Sequence, residues 1–164
     1  MALVKEGRIV SDPYIDVSSA EELPPQGALL VSLEHWQNHW DRLQCRPEPV
    51  GILLESDQHP EIIADDLEQL SLIALRFPTF RDGRPYSYAR LLRERYGFGG
   101  ELRAVGDVLL EQLHFMQRCG FDAFEIDSDD PERDYAIAQG EFSVWYQPTG
   151  DGRPTAIQLR HARR

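Results

Sequence analysis

The chain is poor in cysteine and has a single lysine. Cys45 and Cys119 lie far apart and outside any CxxC pair. They are too few to hold an iron–sulfur cluster on four thiolates, and free thiols in a reducing compartment are the simpler interpretation. Lys5 is the one lysine among seventeen Lys and Arg residues, so sixteen are arginine. Because arginine binds carboxylates and oxyanions through two parallel hydrogen bonds, the positions of these arginines are informative.

The sequence also lacks an excess of positive charge and any long apolar segment. Its formal net charge of -11 argues against a nucleic-acid partner, because phosphate binding requires clustered Lys and Arg. The N-terminal residues contain no apolar stretch typical of a signal peptide, and no run approaches the roughly 18 apolar residues of a spanning helix. We therefore expect a soluble, cytoplasmic protein with no membrane partner.

Length and composition are typical of one globular domain. The chain has 164 residues, of which 41% are hydrophobic, enough for a sizeable core. We expect a single α/β domain over residues 1–147 with a peripheral N-terminal hairpin. Residues 148–164 are polar and carry a charge of +3. They form either a loosely held, solvated tail or a segment that folds back on the acidic body.

The order of apolar runs predicts the fold class. Two short extended pieces around Glu6-Gly7 predict the hairpin, and from Ala28 onward strand-like runs alternate with helical periods, as in βα units. The fold is thus α/β, with repeated βα units and a mainly parallel sheet. An open three-layer sheet and part of a (β/α) barrel both fit, and both place ligands at the carboxyl ends of the strands. The predicted strands are residues 28–32, 50–55, 72–77, 102–105, 123–126 and 142–147.

Capping residues delimit the predicted helices. Pro60 suits a first turn, and the following apolar residues recur at helical spacing. A second helix covers residues 87–96 and ends at Gly97, and a third begins with Asp107 as its N-cap and ends at Gly120. A fourth lies between Asp130-Pro131 and Gly140.

The loop after the predicted strand 72–77, residues 77–87, is the first candidate site. It places Arg81 and Arg84 between a strand end and a helix N-terminus, where backbone N–H groups and the helix dipole favour an anion. Tyr86 and Ser87 add hydroxyl donors. The alternative is structural: a turn at Asp82-Gly83, Ser87 as a helix cap, and arginines paired with carboxylates.

A second candidate site is the following strand and its turn, residues 101–107. Asp107 could act as a base at a strand end, and Arg103 could reach the neighbouring strand. The alternative is that Asp107 is only a helix cap and Arg103 only an ion-pair partner.

The cysteines, the histidines and the known catalytic motifs do not predict a site. Cys119 at a helix C-terminus is expected to be a small buried residue rather than a redox thiol. His35 and His39 form an i, i+4 pair but no further ligands converge by spacing, so no metal site is predicted. The dinucleotide, P-loop, nucleophile-elbow and zincin motifs are absent from the sequence.

One long segment carries a family resemblance. The sequence FPTFRDGRPYSYARLLRERYGFGGELRAVGDVLLEQLHFMQRCGFDAFEI resembles an uncharacterised bacterial family described as probable oxidoreductases involved in sulfite reduction. The looser similarity covers residues 28–147, and Pro85 stands where that family often has glycine. No catalytic residue is transferred, because none is established for the family.

The resemblance implies a protein of sulfur assimilation. With the arginine-rich loop, we expect it to bind a small oxyanion or an anionic cofactor, with electrons carried by a flavin, a nicotinamide or a partner's cofactor if it is an oxidoreductase. Two other hypotheses remain open. One is a non-catalytic accessory that docks on sulfite reductase or its electron donor, and the other is an inactive remnant of a (β/α) barrel enzyme.

Overall fold

The computed structural model describes residues 1–20 and 22–162, so the last two residues of the predicted tail, 163 and 164, lie outside the described residues. The strands are β1 (Ala2–Lys5), β2 (Arg8–Val10), β3 (Tyr14–Asp16), β4 (Ala28–Ser32), β5 (Val50–Leu54), β6 (Leu72–Phe77), β7 (Glu101–Gly106) and β8 (Ala123–Ile126). The α-helices are α1 (Leu33–Asn38), α2 (Trp40–Leu43), α3 (Arg84–Arg90), α4 (Leu113–Cys119), α5 (Pro131–Gly140) and α6 (Ala156–Ala162). Further helical segments are the 3-10 segments Pro60–Gln69 and Leu110–Gln112 and the π-helical turn Leu91–Arg95 that continues α3.

The strands form one curled sheet in the order β2-β1-β8-β7-β6-β5-β4-β3. Neighbours from β3 to β8 are parallel, whereas β1 is antiparallel to both β2 and β8. Strands β2 and β3 lie at opposite edges, yet only residues 11–13 separate them in the chain. Four Cα–Cα steps span at most about 15 Å. The two edges must therefore approach each other, which gives the sheet the shape of a half-barrel.

The two faces of the sheet differ in what covers them. Helices pack on the outer face, where strand residues such as Ile52 and Ile73 join helix residues such as Trp36 and Leu92 in the main core. A smaller apolar cluster lies on the inner face and consists of Leu30, Leu53, Leu72, Ala74 and Val105. The sequence allowed an open three-layer sheet or part of a (β/α) barrel. The structure is closer to the second, because its sheet is curled and its helices lie on the outside.

The N-terminal hairpin is confirmed and belongs to the main sheet. Glu6 and Gly7 have φ values of 51° and 78°, which suits the two-residue turn of a hairpin. β1 then pairs along its length with β8, from Ala2 opposite Ile126 to Lys5 opposite Ala123. The hairpin thus extends one sheet edge. The sequence pattern missed β3, a three-residue strand with no apolar run of its own.

Five of the six predicted parallel strands are confirmed, and the sixth, residues 142–147, is wrong. This segment is irregular apart from an isolated bridge between Trp145 and Thr155. Its alternating apolar side chains are exposed: Phe142 by 44%, Val144 by 51% and Tyr146 by 83%. The position it would need beside β8 is occupied by β1, so no free hydrogen-bonding edge remains there.

The predicted helices are present with three corrections. The segment after Pro60 is a 3-10 helix, although its apolar residues do pack on the sheet. The helix predicted from residue 87 begins at Arg84, because Pro85 fits the first turn. Asp107 does not cap the third helix, which begins after residue 109. The ends at Gly97 and Gly120 are confirmed, with φ values of 68° and 109°.

The C-terminal segment folds back onto α4. The buried guanidinium of Arg118 donates from Nε to Asp151 at 2.9 Å and from Nη2 to the backbone oxygen of Gln147 at 2.8 Å. Trp145 donates to Nε2 of His114 at 2.6 Å, and their rings are stacked. We call residues 145–151 the strap. In the described part of the chain, no helix has the length and apolar character needed to cross a membrane.

Candidate functional site

The first two predicted arginines lie at the carboxyl edge of the sheet, where β6 is followed by α3. Arg84 is the first residue of α3, and its guanidinium binds Asp82 through two contacts, Nε to Oδ1 at 2.9 Å and Nη2 to Oδ2 at 2.6 Å. Nη2 also donates to the Ser56 hydroxyl at 2.9 Å. The Asp82 carboxylate further accepts the Arg84 backbone N–H. An internal carboxylate therefore occupies the position predicted for an external oxyanion.

The electrostatics of this pair follow from its contacts. The Arg84 hydrogen bond holds the pKa of Asp82 well below its usual range. The same pair raises the pKa of Arg84. The two groups therefore remain charged together, and Arg84 orders the loop that follows β6.

Arg81 differs from Arg84 in its surroundings. Its guanidinium lies 5.4 Å from the centroid of the Phe80 ring. No carboxylate among the described residues lies within salt-bridge distance of it. Arg81 is exposed to solvent, and its charge is available to a ligand.

Tyr86 and Ser87 lie inside α3 rather than in the loop. The Tyr86 ring packs edge-on against Phe77, and burial raises the pKa of its hydroxyl to about 12. Ser87 is exposed on the helix. The earlier start of α3 thus places these two hydroxyls on the helix that follows the Arg81 loop.

Asp107 has a structural contact at the end of β7. Its Oδ2 accepts the backbone N–H of Phe80 at 2.8 Å, while Gln112 donates to the Phe80 carbonyl at 2.9 Å. The preceding Gly106 has φ of 93° and lies against the Phe77 carbonyl. These contacts join the loops after β6 and β7 and fix the loop that carries Arg81.

Arg103 lies on the inner face of the sheet and is fully buried. Nη1 and Nη2 bind Asp12 at 2.5 and 3.1 Å, Nε binds Glu101 at 2.9 Å, and the guanidinium lies 5.6 Å from the centroid of the Tyr14 ring. Asp12 belongs to the connection that joins the two sheet edges. Arg103 therefore closes the curled sheet through an ion pair.

Three further charged residues on the inner face were missed by sequence reasoning. Arg76 on β6 donates from Nε to Glu55 at 2.8 Å, and the Arg76 side chain is 37% exposed. Glu125 on β8 lies 3.9 Å from Nη1 of Arg103. Burial raises the pKa of Glu125, while the nearby Arg103 and Arg76 act to lower it. One signal could have found two of them: Arg76 and Glu125 interrupt otherwise apolar parallel strands.

A cleft of about 550 Å³ lies at the opposite end of the sheet, beneath the strap. Cys119, Arg118, Tyr135 and Asp151 contribute to its walls. Burial raises the pKa of the Cys119 thiol, so the group is a poor nucleophile. Both cysteines are free thiols.

The predicted histidine pair lies at the end of α1. The rings of His35 and His39 are stacked with centroids 6.2 Å apart, and Nδ1 of His35 hydrogen-bonds to Ser32. Across residues 1–20 and 22–162, no group of three or more His, Cys, Asp or Glu side chains is arranged to hold a metal ion.

The comparisons with known proteins give a family. A search of curated proteins gave no match to the chain. Residues 51–157, from β5 to the start of α6, match a bacterial protein family of unknown function, DUF934. This match includes the Arg81 loop, Arg103 and Glu125, and it covers more than half of the chain. The chain belongs to the DUF934 family of bacterial proteins.

Proposed function

We propose that the protein binds a small oxyanion at the carboxyl ends of its parallel strands and acts in sulfite reduction. The observation that carries the proposal is Arg76. Its guanidinium uses only Nε, toward Glu55, and its two terminal amino groups have no hydrogen-bond partner among the described residues. A half-exposed guanidinium with two unused donor groups at a strand end is well suited to a bidentate contact with an oxyanion.

Arg81 supports the same proposal. It lies in the loop that directly follows β6, the strand that carries Arg76, and the contacts of Asp107 and Gln112 hold that loop in place. Its side chain lies on the Phe80 ring and has no carboxylate partner among the described residues. Arg84, by contrast, orders the loop through Asp82, so its contribution to binding is indirect.

The sulfur chemistry comes from the sequence resemblance. The segment from Phe77 to Ile126 resembles probable oxidoreductases involved in sulfite reduction, and sulfite and sulfate are small oxyanions. If the protein transfers electrons, a flavin, a nicotinamide or the cofactor of a partner supplies that chemistry. The side chains at the strand ends supply binding and positioning only.

Isothermal titration calorimetry with sulfite and sulfate tests the proposal. A charge-assisted hydrogen bond is worth about 1.5 to 3 kcal/mol, so Arg76→Ala and Arg81→Ala should each weaken binding about 10- to 100-fold. Arg95→Ala is the matched control, because Arg95 also lies on an aromatic ring, 5.6 Å from the centroid of Tyr96. Equal losses in all three variants, or no binding by the unsubstituted protein, would contradict the proposal.

A second candidate function is a non-catalytic accessory of sulfite reductase or its electron donor. The observation that favours it is an apolar patch beside α4, where Phe115 and Phe142 are 50% and 44% exposed with their rings 5.9 Å apart. Tyr146 nearby in the chain is 83% exposed. Grouped exposed aromatics are typical of docking surfaces.

Purified sulfite reductase distinguishes the two functions. Under the accessory hypothesis it binds the protein, and Phe115→Ala with Phe142→Ala abolishes that complex while sulfite binding is unchanged. Ile157→Ala is the control, since Ile157 is 59% exposed on α6. Absence of a complex, with oxyanion binding intact, leaves the first function alone.

A further inference from the structure

Glu125 is not needed for the ion pair on the inner face. The single positive charge of Arg103 already has two carboxylate partners, Asp12 and Glu101, both within hydrogen-bond distance. Glu125 approaches the same guanidinium only to 3.9 Å and has no hydrogen bond among the described residues. The carboxylate is partly exposed, so water or a ligand on the inner face, rather than the ion pair, supplies its hydrogen bonds.

The groups that face Glu125 come from every neighbouring strand. Arg103 of β7 and Arg76 of β6 favour its ionised form, whereas Asp12 in the connection and Asp16 of β3 disfavour it. Its partner in register on β1 is Leu3, which is buried and apolar. Burial is the largest of these effects and raises the pKa of Glu125.

Charge on this face is unfavourable for an anion while Glu125 is ionised. The inner face carries Arg76, Arg103 and Lys5 against five carboxylates. These are Asp12, Asp16, Glu55, Glu101 and Glu125. Glu125 is 30% exposed. Arg76 is in register with Val105 of β7, and Glu125 follows the β7–β8 pair Ala104–Phe124 by one residue. Arg76 and Glu125 therefore lie two strands, or about 10 Å, apart on one face, where one bound anion can contact both side chains. A protonated Glu125 removes one negative charge and adds an O–H donor.

We propose that oxyanion binding at Arg76 is coupled to uptake of one proton, and that Glu125 holds this proton and donates a hydrogen bond to the bound anion. The inference rests on the proposed function, since it concerns the same site. Under this proposal the site takes up an oxyanion together with one proton. For sulfite, the resulting complex has the same composition as bisulfite bound to the protein with Glu125 ionised.

Sulfate is the appropriate probe because its own charge is constant across the accessible pH range. Its affinity for the unsubstituted protein should fall by up to about tenfold per pH unit once Glu125 ionises, as expected for one linked proton. Glu125→Gln retains a neutral donor of similar shape, so its affinity should be nearly independent of pH and equal to that of the unsubstituted protein at low pH. Glu68→Gln, on the exposed side of the 3-10 segment, should keep the pH dependence.

A second measurement does not depend on affinity. Carboxyl NMR of protein labelled at glutamate follows the titration of Glu125, assigned by its loss in Glu125→Gln. Its midpoint should lie above that of an ordinary glutamate and rise further with saturating sulfate. A pH-dependent affinity that survives in Glu125→Gln, or an unshifted Glu125 midpoint in the presence of bound sulfate, overturns the inference alone. Failure of sulfate and sulfite to bind at any pH overturns the proposed function and, with it, the inference.

Discussion

The guanidinium of Arg84 binds the carboxylate of Asp82 two residues earlier in the chain, with Nε to Oδ1 at 2.9 Å and Nη2 to Oδ2 at 2.6 Å. The pair lies where a strand end meets the start of α3, the position at which an external anion would be favoured by the helix. An arginine in such a position is therefore not by itself a ligand-binding residue. Arg81 and Arg76, whose donors are not all used, are the better candidates.

Removing Arg84 should return Asp82 to ordinary titration. The pair depresses the pKa of Asp82 in the folded state, so it stabilises the fold above the unfolded pKa and this contribution is lost as the pH falls below about 4. In Arg84→Ala the titration midpoint of Asp82 should rise toward 3.8, its ordinary value. Carboxyl NMR measures this shift, and Arg95→Ala should leave the midpoint unchanged. A midpoint unaffected by Arg84→Ala would refute the pairing.

Gly106 should not tolerate a side chain. Its φ is 93°, and an added Cβ would meet the backbone carbonyl of Phe77, which also accepts the Asp107 N–H. The left-handed conformation alone costs about 1–2 kcal/mol, and the backbone contact adds to it. Urea denaturation of Gly106→Ala should show this loss. Gly83→Ala is the matched control, since Gly83 has φ of -84° and open space around it, and comparable losses in both variants would contradict the prediction.

Leu113 should contribute strongly to stability. Its side chain is fully buried where α4 packs in the main core, so Leu113→Ala should reduce the free energy of unfolding by about 2 to 5 kcal/mol. Ile137→Ala on α5 is the control, because Ile137 is 60% exposed and its loss should change stability by about 0.5 kcal/mol or less. If both variants lose the same free energy of unfolding, α4 is not packed as described.

Protonation of His114 should release the strap. Its Nε2 accepts the Trp145 indole N–H. Burial of the ring lowers the pKa of His114, and the nearby positive charges of Arg153 and Arg118 lower it further. Because the folded-state pKa is depressed, stability falls as the pH drops below the unfolded value of about 6.5. Trp145 fluorescence and proteolysis of the strap should both report release in acid.

Two variants identify the titrating residue. In His114→Gln a neutral amide replaces the titrating ring, so strap release should lose its dependence on pH in this range. His39→Gln should behave as the unsubstituted protein, because His39 lies on the exposed side of the chain near α2. Acid release that persists in His114→Gln would show that another group controls the strap.

Local sequence patterns determined most of the secondary structure. Unbroken apolar runs located the strands at Ala28, Val50, Leu72 and Ala123, because strands covered on both faces bury nearly every side chain. Gly97 and Gly120 ended helices as predicted, since glycine adopts positive φ without a steric cost. These features depend on a few neighbouring residues, so they can be predicted without the fold.

Competition between distant segments decided the rest. Residues 142–147 have the alternation of a strand, but β1, more than 120 residues earlier in the chain, already occupies the edge of β8. The early start of α3 moved Tyr86 and Ser87 out of the predicted loop site. The pairing of β1 with β8 is a long-range contact, so no local sequence pattern predicts it.

The inner-face charges depend on tertiary structure in the same way. Asp12 and Arg103 are separated by 91 residues and meet because three residues connect the two edges of a curled sheet. The sequence marked Arg76 and Glu125 only as charges within apolar strands. Curvature of the sheet placed them on one concave face, where burial raises the pKa of Glu125.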